Sequence, residues 1–560
     1  MRVSLLDWGV FLAFLTWIVV DGIRRSRRDG GATDHFLAGR SAPWWVIGLS
    51  ILATQASAIT MVGTTGVGAQ EGMRFVQFYY ALPIAMLLLA LFALPLYQRA
   101  GVFTVYEYLG RRFDQKTRLL SALTFLVLRG LSVAFVIYAP SIILSAVLDL
   151  PATPTIIGMG GLAIVYTSIG GMRAVLATDV KQMGAMVIGL AVAMITLIRA
   201  IPEEVGVDGV IRLADATGRW VFADWSFDPS EKYTIGSSLI GGTLLFLAYF
   251  GCDQSQAQRY LSGKSLRHGQ GALFLNAIVK VPFQMLILTT GILLFGYYSL
   301  EAPPESFVPQ HRNHLEAVDG ERRAAERAWR EARGAAISYL ELDSERAREK
   351  YVEAQEESEA ARGELVKALQ VEAGDQVGEK NYIFPYFILH GLPRGLIGLL
   401  IAAIFAAALS SIDSELNAMS TVVVMDILPG GRARRLSPTG EKIRAALALV
   451  ACGAFATSFA IYVQGEESIV EAVNKVGSLF YGALLGVFLL AVATRRVNGT
   501  GAVVGLIAGV AAVPIVESIL AGQGQDLPFL YRNTIGTVTT VTLGLIVSHF
   551  TRTKPEPAAA

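Results

Sequence analysis

The amino-acid sequence predicts an all-α, polytopic membrane protein, and three observations carry that prediction. Hydrophobic residues make up 53% of the 560 residues, and the mean hydropathy of +0.49 lies above that of soluble chains. Apolar runs long enough to cross a bilayer recur from one end to the other. Basic residues gather in every second connection, the pattern that orients membrane helices. The net charge of +1 gives no footprint for nucleic acid. Cys252 and Cys452 lie far apart in apolar segments, with no disulfide or metal spacing. The six histidines are scattered, which argues against a zinc site or a histidine proton relay.

The first apolar run, 4–23, is followed by Arg24, Arg25, Arg27 and Arg28, and no small-residue cleavage site closes it. It reads as an uncleaved span with its N-terminus outside. Further spans are predicted at 44–66, 76–98, 118–148, 152–168, 174–200, 235–258, 271–298, 394–425, 443–463, 470–494, 500–520 and 532–550, about thirteen in all. The cytoplasmic connections hold Arg99, Arg111 and Arg112, then Arg259 and Lys264, then Arg432, Arg434 and Arg435, then Arg495 and Arg496. An odd count of spans puts the C-terminus inside. Residues 1–300 and 383–551 form the two parts of the membrane core, and 552–560 a short cytoplasmic tail. Residues 301–382 interrupt the pattern. Their Ala, Glu and Arg content favours helix, and apolar residues recur at helical spacing from Leu315 to Ala332 and from Tyr351 to Leu369. Asp343-Ser344 reads as the cap between two helices. The expectation is an extracytoplasmic, charged helical hairpin, either a solvated spacer or a contact for a partner or a second copy.

The most informative stretch is 401–427, IAAIFAAALSSIDSELNAMSTVVVMDI. It is apolar enough to span, yet Ala407, Ser410, Ser411, Ser414, Asn417 and Thr421 share one helical face, with Asp413 at its edge. Ionisable groups at membrane depth face a partner, an ion or water. An oxygen-rich stripe of this kind suits a hard cation such as Na⁺. Glu415 points off the stripe, towards a cationic partner, and Asp426 reads as interfacial, near the basic loop that follows.

Six motifs occur in order: FLAGRSAPWW (36–45), TVYEYLGRRF (104–113), GGMRAVLATDVKQ (170–182), GCDQSQAQRYL (251–261), ALSSIDSELNAMSTVVVMDI (408–427) and RRVNGTGAVVG (495–505). In these the chain resembles the sodium:solute symporter family over nearly all of its length except 301–382. TQASAITMVG and RFVQFYY are most like the iodide, monocarboxylate and vitamin branch. The resemblance implies a LeuT-like fold of two inverted five-helix repeats, spans two to six and seven to eleven. The second and seventh spans would be broken at mid-membrane. Gly63, Gly66 and Gly68, and Gly241, Gly242 and Gly251, are candidates for those breaks or for close helix packing.

By the same resemblance, a first sodium site takes the carbonyls of Ala53, Ala56 and Ala407 and the hydroxyls of Ser410 and Ser411. The alternative for the serines is bonding back to the preceding turn. A second cation site takes Asp179, Ser410, Asp413 and Ser414. Asp413 departs from the Ser, Thr or Ala usual there, and two carboxylates would hold a cation or share a proton. Otherwise Asp179 would pair with Lys181 or Arg173. Substrate positions fall on Gln55, Ile59, Thr60, Tyr79, Leu82, Phe246, Tyr249, Lys280 and Asn474. Tyr79, Ile59 and Phe246 replace polar residues, so the pocket is more apolar and retains one cation, Lys280, unless that lysine pairs with Asp253.

The expected function is sodium-coupled symport of a small organic or inorganic anion, such as a monocarboxylate or vitamin, by alternating access in the inner (plasma) membrane. The alternatives are a sugar or polyol symporter and a transporter-like membrane sensor. The short tail offers no output domain for the last. No nucleophile–base pair or metal set suggests an enzyme. No cofactor is expected beyond Na⁺ as coupling ion, and the partners are Na⁺, the solute and the lipid bilayer.

Overall fold

The computed structural model describes residues 3–26, 32–148, 150–226, 232–428, 438–464, 468–525 and 527–551. Among them there is no β-strand, only an isolated bridge between Ala42 and Gly263. Arg27, Arg28, the basic loop Arg432–Arg435 and the tail 552–560 lie outside the described residues.

The first span is α1 (Leu5–Ser26). The second is broken into α2 (Trp44–Gln55) and α3 (Thr65–Glu71), joined through a π turn. Then come α4 (82–100), α5 (Gln115–Leu148), α6 (Ala152–Ile169) and α7 (Met172–Ala200). A short amphipathic helix, α8 (Gly206–Ala216), leads to the seventh span. That span breaks into α9 (Thr243–Gly251) and α10 (Gln254–Leu261) with a 60° bend. It is followed by α11 (Leu266–Leu300), the hairpin α12 (Asp319–Leu342) and α13 (Glu345–Ala373), and α14 (Leu396–Val422). The chain ends with α15 (Pro438–Ala460), α16 (Ile469–Ala493), α17 (Gly499–Ala521) and α18 (Phe529–Phe550). Nine of the described helices are alone long and apolar enough to cross a membrane, ten with the bent pair.

The packing has a two-fold pattern. α2 and α3 pack on α11, as α9 packs on α4. α5 packs on α15, as α14 packs on α6; α5 packs on α16, as α14 packs on α7; and α9 packs on α16, as α2 packs on α7. Each of these contacts therefore has a mate when spans two to six are exchanged with seven to eleven. α14 lies at the centre, with every side chain from Leu400 to Val422 buried. α17 and α18 pack on α16 at the periphery.

The glycines of the second span do not make its break. A Cβ on Gly66 would lie 1.9 Å from the Lys380 carbonyl oxygen, and one on Gly68 2.7 Å from that of Leu288. They serve close packing, and so do Gly241 and Gly242, against Leu530 and Ala81. The break falls at Ala56 (φ −85°, ψ 56°). In the seventh span it follows Gly251, where Asp253 turns extended (φ −93°, ψ 122°) and caps α10 through the Ser255 amide.

In the hairpin, Asp343 takes the left-handed conformation (φ 47°) that ends α12, and Ser344 caps α13 by accepting from the Ala347 amide at 3.3 Å. Its apolar stripe, including Ala332, Ala336, Leu365 and Leu369, is buried. The hairpin is tied to the membrane core by Trp329 Nε1 to the Tyr298 carbonyl (2.9 Å), Arg333 to that of Leu300 (2.7 Å), and Arg219 to Glu359 (2.7 Å).

Candidate functional site

The two helix breaks meet α14 at a buried cluster of oxygens. Ala56 N closes onto the Leu52 carbonyl at 2.8 Å, the last turn of α2. Carbonyls from Ala53 onward then lose their partners one turn ahead, so they must be satisfied from elsewhere. Ser411 Oγ donates to the Thr54 carbonyl at 2.8 Å and also back to the Ala407 carbonyl at 3.2 Å. Thr60 Oγ1 takes the Gln55 carbonyl at 3.0 Å. Ser411, Ala407 and the end of α2 are thus brought together. Ser410 turns the other way, donating to Asp179 Oδ1 at 2.5 Å.

Asp179 is fully buried, and around it stand Ser50, which no motif contains, and Arg259, which is buried here rather than lying in a cytoplasmic connection. Ser50 Oγ donates to Asp179 Oδ2 at 2.5 Å, Arg259 Nη2 lies 3.7 Å from the same oxygen, and Arg259 Nε donates to Ser50 Oγ at 2.9 Å. Thr54 Oγ1 donates to Ser414 Oγ at 3.2 Å, and Ser414 Oγ to Asp413 Oδ1 at 3.1 Å. Ser50 and Thr54 are one turn apart on α2; that hydroxyl pair in an apolar helix was the available signal. The expected alternative for Asp179 is corrected: Lys181 pairs with Asp21 and Arg173 with Asp34 (3.2 Å), and the cation at Asp179 is Arg259.

A second buried charge cluster closes the floor. Arg129, in α5, donates to Asp253, Tyr481 and Glu415, with Nη1 2.8 Å from Glu415 Oε1. Its guanidinium lies 5.3 Å from the Tyr249 ring. Glu415 therefore faces a cation, off the oxygen-rich stripe. Asp253 is taken by Arg129, not by Lys280. Asp426 is buried, accepting from Arg118 Nε at 2.7 Å and from Thr104 Oγ1 at 2.9 Å.

Of the substrate positions, Tyr79, Phe246 and Lys280 meet. The Tyr79 and Phe246 rings lie 5.8 Å apart, and Lys280 Nζ is 5.2 Å from the Tyr79 ring. Lys280 is 1% exposed, and its ammonium has no hydrogen-bond partner among the described residues. One turn on, both amide atoms of Gln284 are equally unpartnered, as is Nε2 of Gln55. Asn276, Lys280 and Gln284 form a buried polar stripe on α11, which packs against the broken second span. Tyr249 accepts from Gln256 at 2.8 Å, and Asn474 spends its amide on the Val470 carbonyl of its own helix (2.8 Å). A cavity of about 980 Å³ lies elsewhere, between the hairpin and the adjoining ends of α3 and α11. Its charged side chains pair with one another, Arg362 with Glu379 and Lys380 with Glu71 among them, which leaves little to recognise a solute.

Broken helices meeting at mid-membrane around buried hydroxyls and carboxyls define a secondary transporter, in which the fold moves an ion and a solute without making a bond. The chain belongs to the sodium:solute symporter family, whose model matches residues 35–316 and 362–509. The unmatched residues between them lie in α12 and α13. The sodium/sialic acid symporter of Aliivibrio fischeri is 26% identical over 97% of this chain and 93% of its own length. Sodium-coupled monocarboxylate transporter 1 of Mus musculus is 27% identical over 93% and 74%. The Homo sapiens sodium/iodide cotransporter is 27% identical over 90% and 68%. A Na⁺-coupled sialic acid symporter, solved substrate-bound and outward-open, shares the fold with a TM-score of 0.75 and 24% identity over 98% of both chains. The protein is a multi-span membrane symporter with Na⁺ as coupling ion and a small solute as cargo, not an enzyme.

Proposed function

We propose that this symporter takes up a small anion with an apolar body, in the inner membrane, with the N-terminus outside and the hairpin on the outer face. The observation that carries the anion is Lys280. A buried ammonium without a counter-charge is costly, and a carboxylate or inorganic anion in the pocket would offset that cost. Tyr79 and Phe246 supply the apolar wall. Sialic acid, monocarboxylates and iodide, the solutes in the relatives' names, all carry negative charge, which supports the same reading.

Na⁺ sits between the carbonyls of Ala53, Ala56 and Ala407 and the hydroxyl of Ser411, and Ser410, which bonds to Asp179 in this structure, turns to complete the site when the ion binds. Ser411 already bridges two of these elements, and Na⁺ replaces its bonds to the carbonyls. A second cation takes Asp179, Ser410, Asp413 and Ser414, with Arg259 as its built-in competitor. Each charge entering down 100 mV supplies about 2.3 kcal/mol.

The test is uptake into vesicles with and without a Na⁺ gradient, screening short carboxylates, vitamins, inorganic anions and hexoses. Anion uptake that needs Na⁺ and is lost in Ser410→Ala/Ser411→Ala is the expected outcome. Unchanged Na⁺ dependence in that double variant refutes the first-site assignment, and a preference for hexoses refutes the anion.

A further inference from the structure

The first span, α1, belongs to neither repeat, yet it grips both helices that carry the sodium-site side chains. Near its start Asp7 is completely buried. Its Oδ1 accepts the backbone N–H of Gly395 at 2.7 Å and of Gly398 at 2.9 Å, while Oδ2 accepts from Ser4 N (3.0 Å) and Ser4 Oγ (2.5 Å). Gly395 and Gly398 open α14. The first N–H groups of a helix have no partner within it, and a carboxylate there is favoured by the helix dipole. α14 has no side chain of its own at its start to do this. The approach requires glycine: a Cβ on Gly398 would lie 2.1 Å from the Asp7 carbonyl oxygen, and Gly395 sits at φ +89°.

At its other end α1 holds α7. Asp21 pairs with Lys181, two residues beyond Asp179, and Lys181 Nζ lies 4.9 Å over the Trp17 ring of the same span. Beside the second anchor, Val19 and Gly22 wall a small cavity that also takes in Tyr166, Thr167 and Asp413. α1 packs along both α14 and α7.

We infer that α1 is a strap that sets the axial register of α14 against α7, with Asp7 as a positioning residue for the sodium sites. The proposal rests on the sodium assignment given above. Ser410 lies twelve residues beyond Gly398 on one continuous helix, roughly 18 Å along the axis. A rigid helix transmits a slip at its start to its middle. A displacement of about an ångström there would spoil the placing of Ser410 and Ser411 against Ala53, Ala56 and Asp179.

The experiment needs no solute. Binding of ²²Na⁺ to the purified full-length protein is measured, with choline as balancing cation, beside the thermal midpoint in choline alone. Asp7→Ala is expected to raise the half-saturating Na⁺ concentration by about five- to tenfold at unchanged site number. Asp7→Asn, which keeps an acceptor oxygen but no charge, should fall between. Asp21→Asn should also weaken Na⁺ binding, and Asp21→Lys with Lys181→Asp should restore it. A lowered thermal midpoint with wild-type Na⁺ binding in Asp7→Ala overturns the strap and leaves Asp7 a stabilising cap only. Should Asp7→Ala fail to accumulate, wild-type Na⁺ binding in both Asp7→Asn and Asp21→Asn overturns it equally. The Ser410→Ala/Ser411→Ala variant separates the two levels. If it still binds Na⁺ normally, the site assignment fails and the strap with it; if it loses Na⁺ while Asp7→Ala does not, the strap alone fails.

Discussion

Replacing Lys280 by methionine should move stability and solute affinity in opposite directions. The two side chains are similar in length, so the apolar volume is largely kept and the charge is removed. In the empty protein the ammonium is 1% exposed, without a hydrogen-bond partner among the described residues, and is relieved only by the Tyr79 ring at 5.2 Å and the Phe283 ring at 6.0 Å. Burying an ion costs several kcal/mol after relaxation, and cation–π contacts return about 0.5–2 kcal/mol. Lys280→Met should therefore stabilise the solute-free protein by about 1–3 kcal/mol. At about 2.1 cal/mol/K per residue, a chain this long gains only about 1 °C in Tm per kcal/mol, so affinity is the sharper readout. A charged hydrogen bond contributes about 1.5–3 kcal/mol, and its loss raises KM for the transported anion about 10- to 150-fold. Both are measured on protein in proteoliposomes, by uptake kinetics at saturating Na⁺ and by thermal unfolding without solute. A lower Tm with unchanged KM would mean that Lys280 is a structural element satisfied within the protein, and the anion pocket would fall.

Asp413→Asn should reduce the Hill coefficient for Na⁺ from near two towards one, with uptake continuing to a lower accumulation; a wild-type coefficient of one with pH-independent uptake argues against any second cation. Gly291→Ala should destabilise by about 1–3 kcal/mol, because its Cβ would sit 2.4 Å from the Thr65 carbonyl oxygen and 2.7 Å from Ala69 N. Thermal unfolding indistinguishable from wild type would contradict this packing of α11 on α3. Ala360→Cys should react with an impermeant thiol reagent applied to intact cells. Ala360 is exposed, whereas Ala335 is buried and uninformative. Labelling only after lysis would place the hairpin inside.

The sequence carried the membrane class, the approximate positions of the helices and the Ser-Ser-x-Asp-Ser stripe, because these depend on composition and on a 3.6-residue period. Glu415 was legible for the same reason: its angle on the helix sends it away from Ser410, and Arg129 was there to receive it. The glycines stayed open between two roles, since a glycine that breaks a helix and one that admits a neighbouring backbone look alike in sequence. Gly66 is the second kind, and the break fell at an alanine whose neighbours offer no local signal. For Asp426 the sequence offered only the arginines that follow it, whereas the partner the structure shows, Arg118, comes from another helix. The same holds at the cluster around Asp179. That Ser410 turns to Asp179, that Ser50 and Arg259 complete that carboxylate, and that Asp7 closes the start of α14 are all contacts between residues far apart in the chain, on different helices. No local period encodes them. A buried polar group must find a partner, but which partner is decided only when the helices pack and bring their faces to one depth.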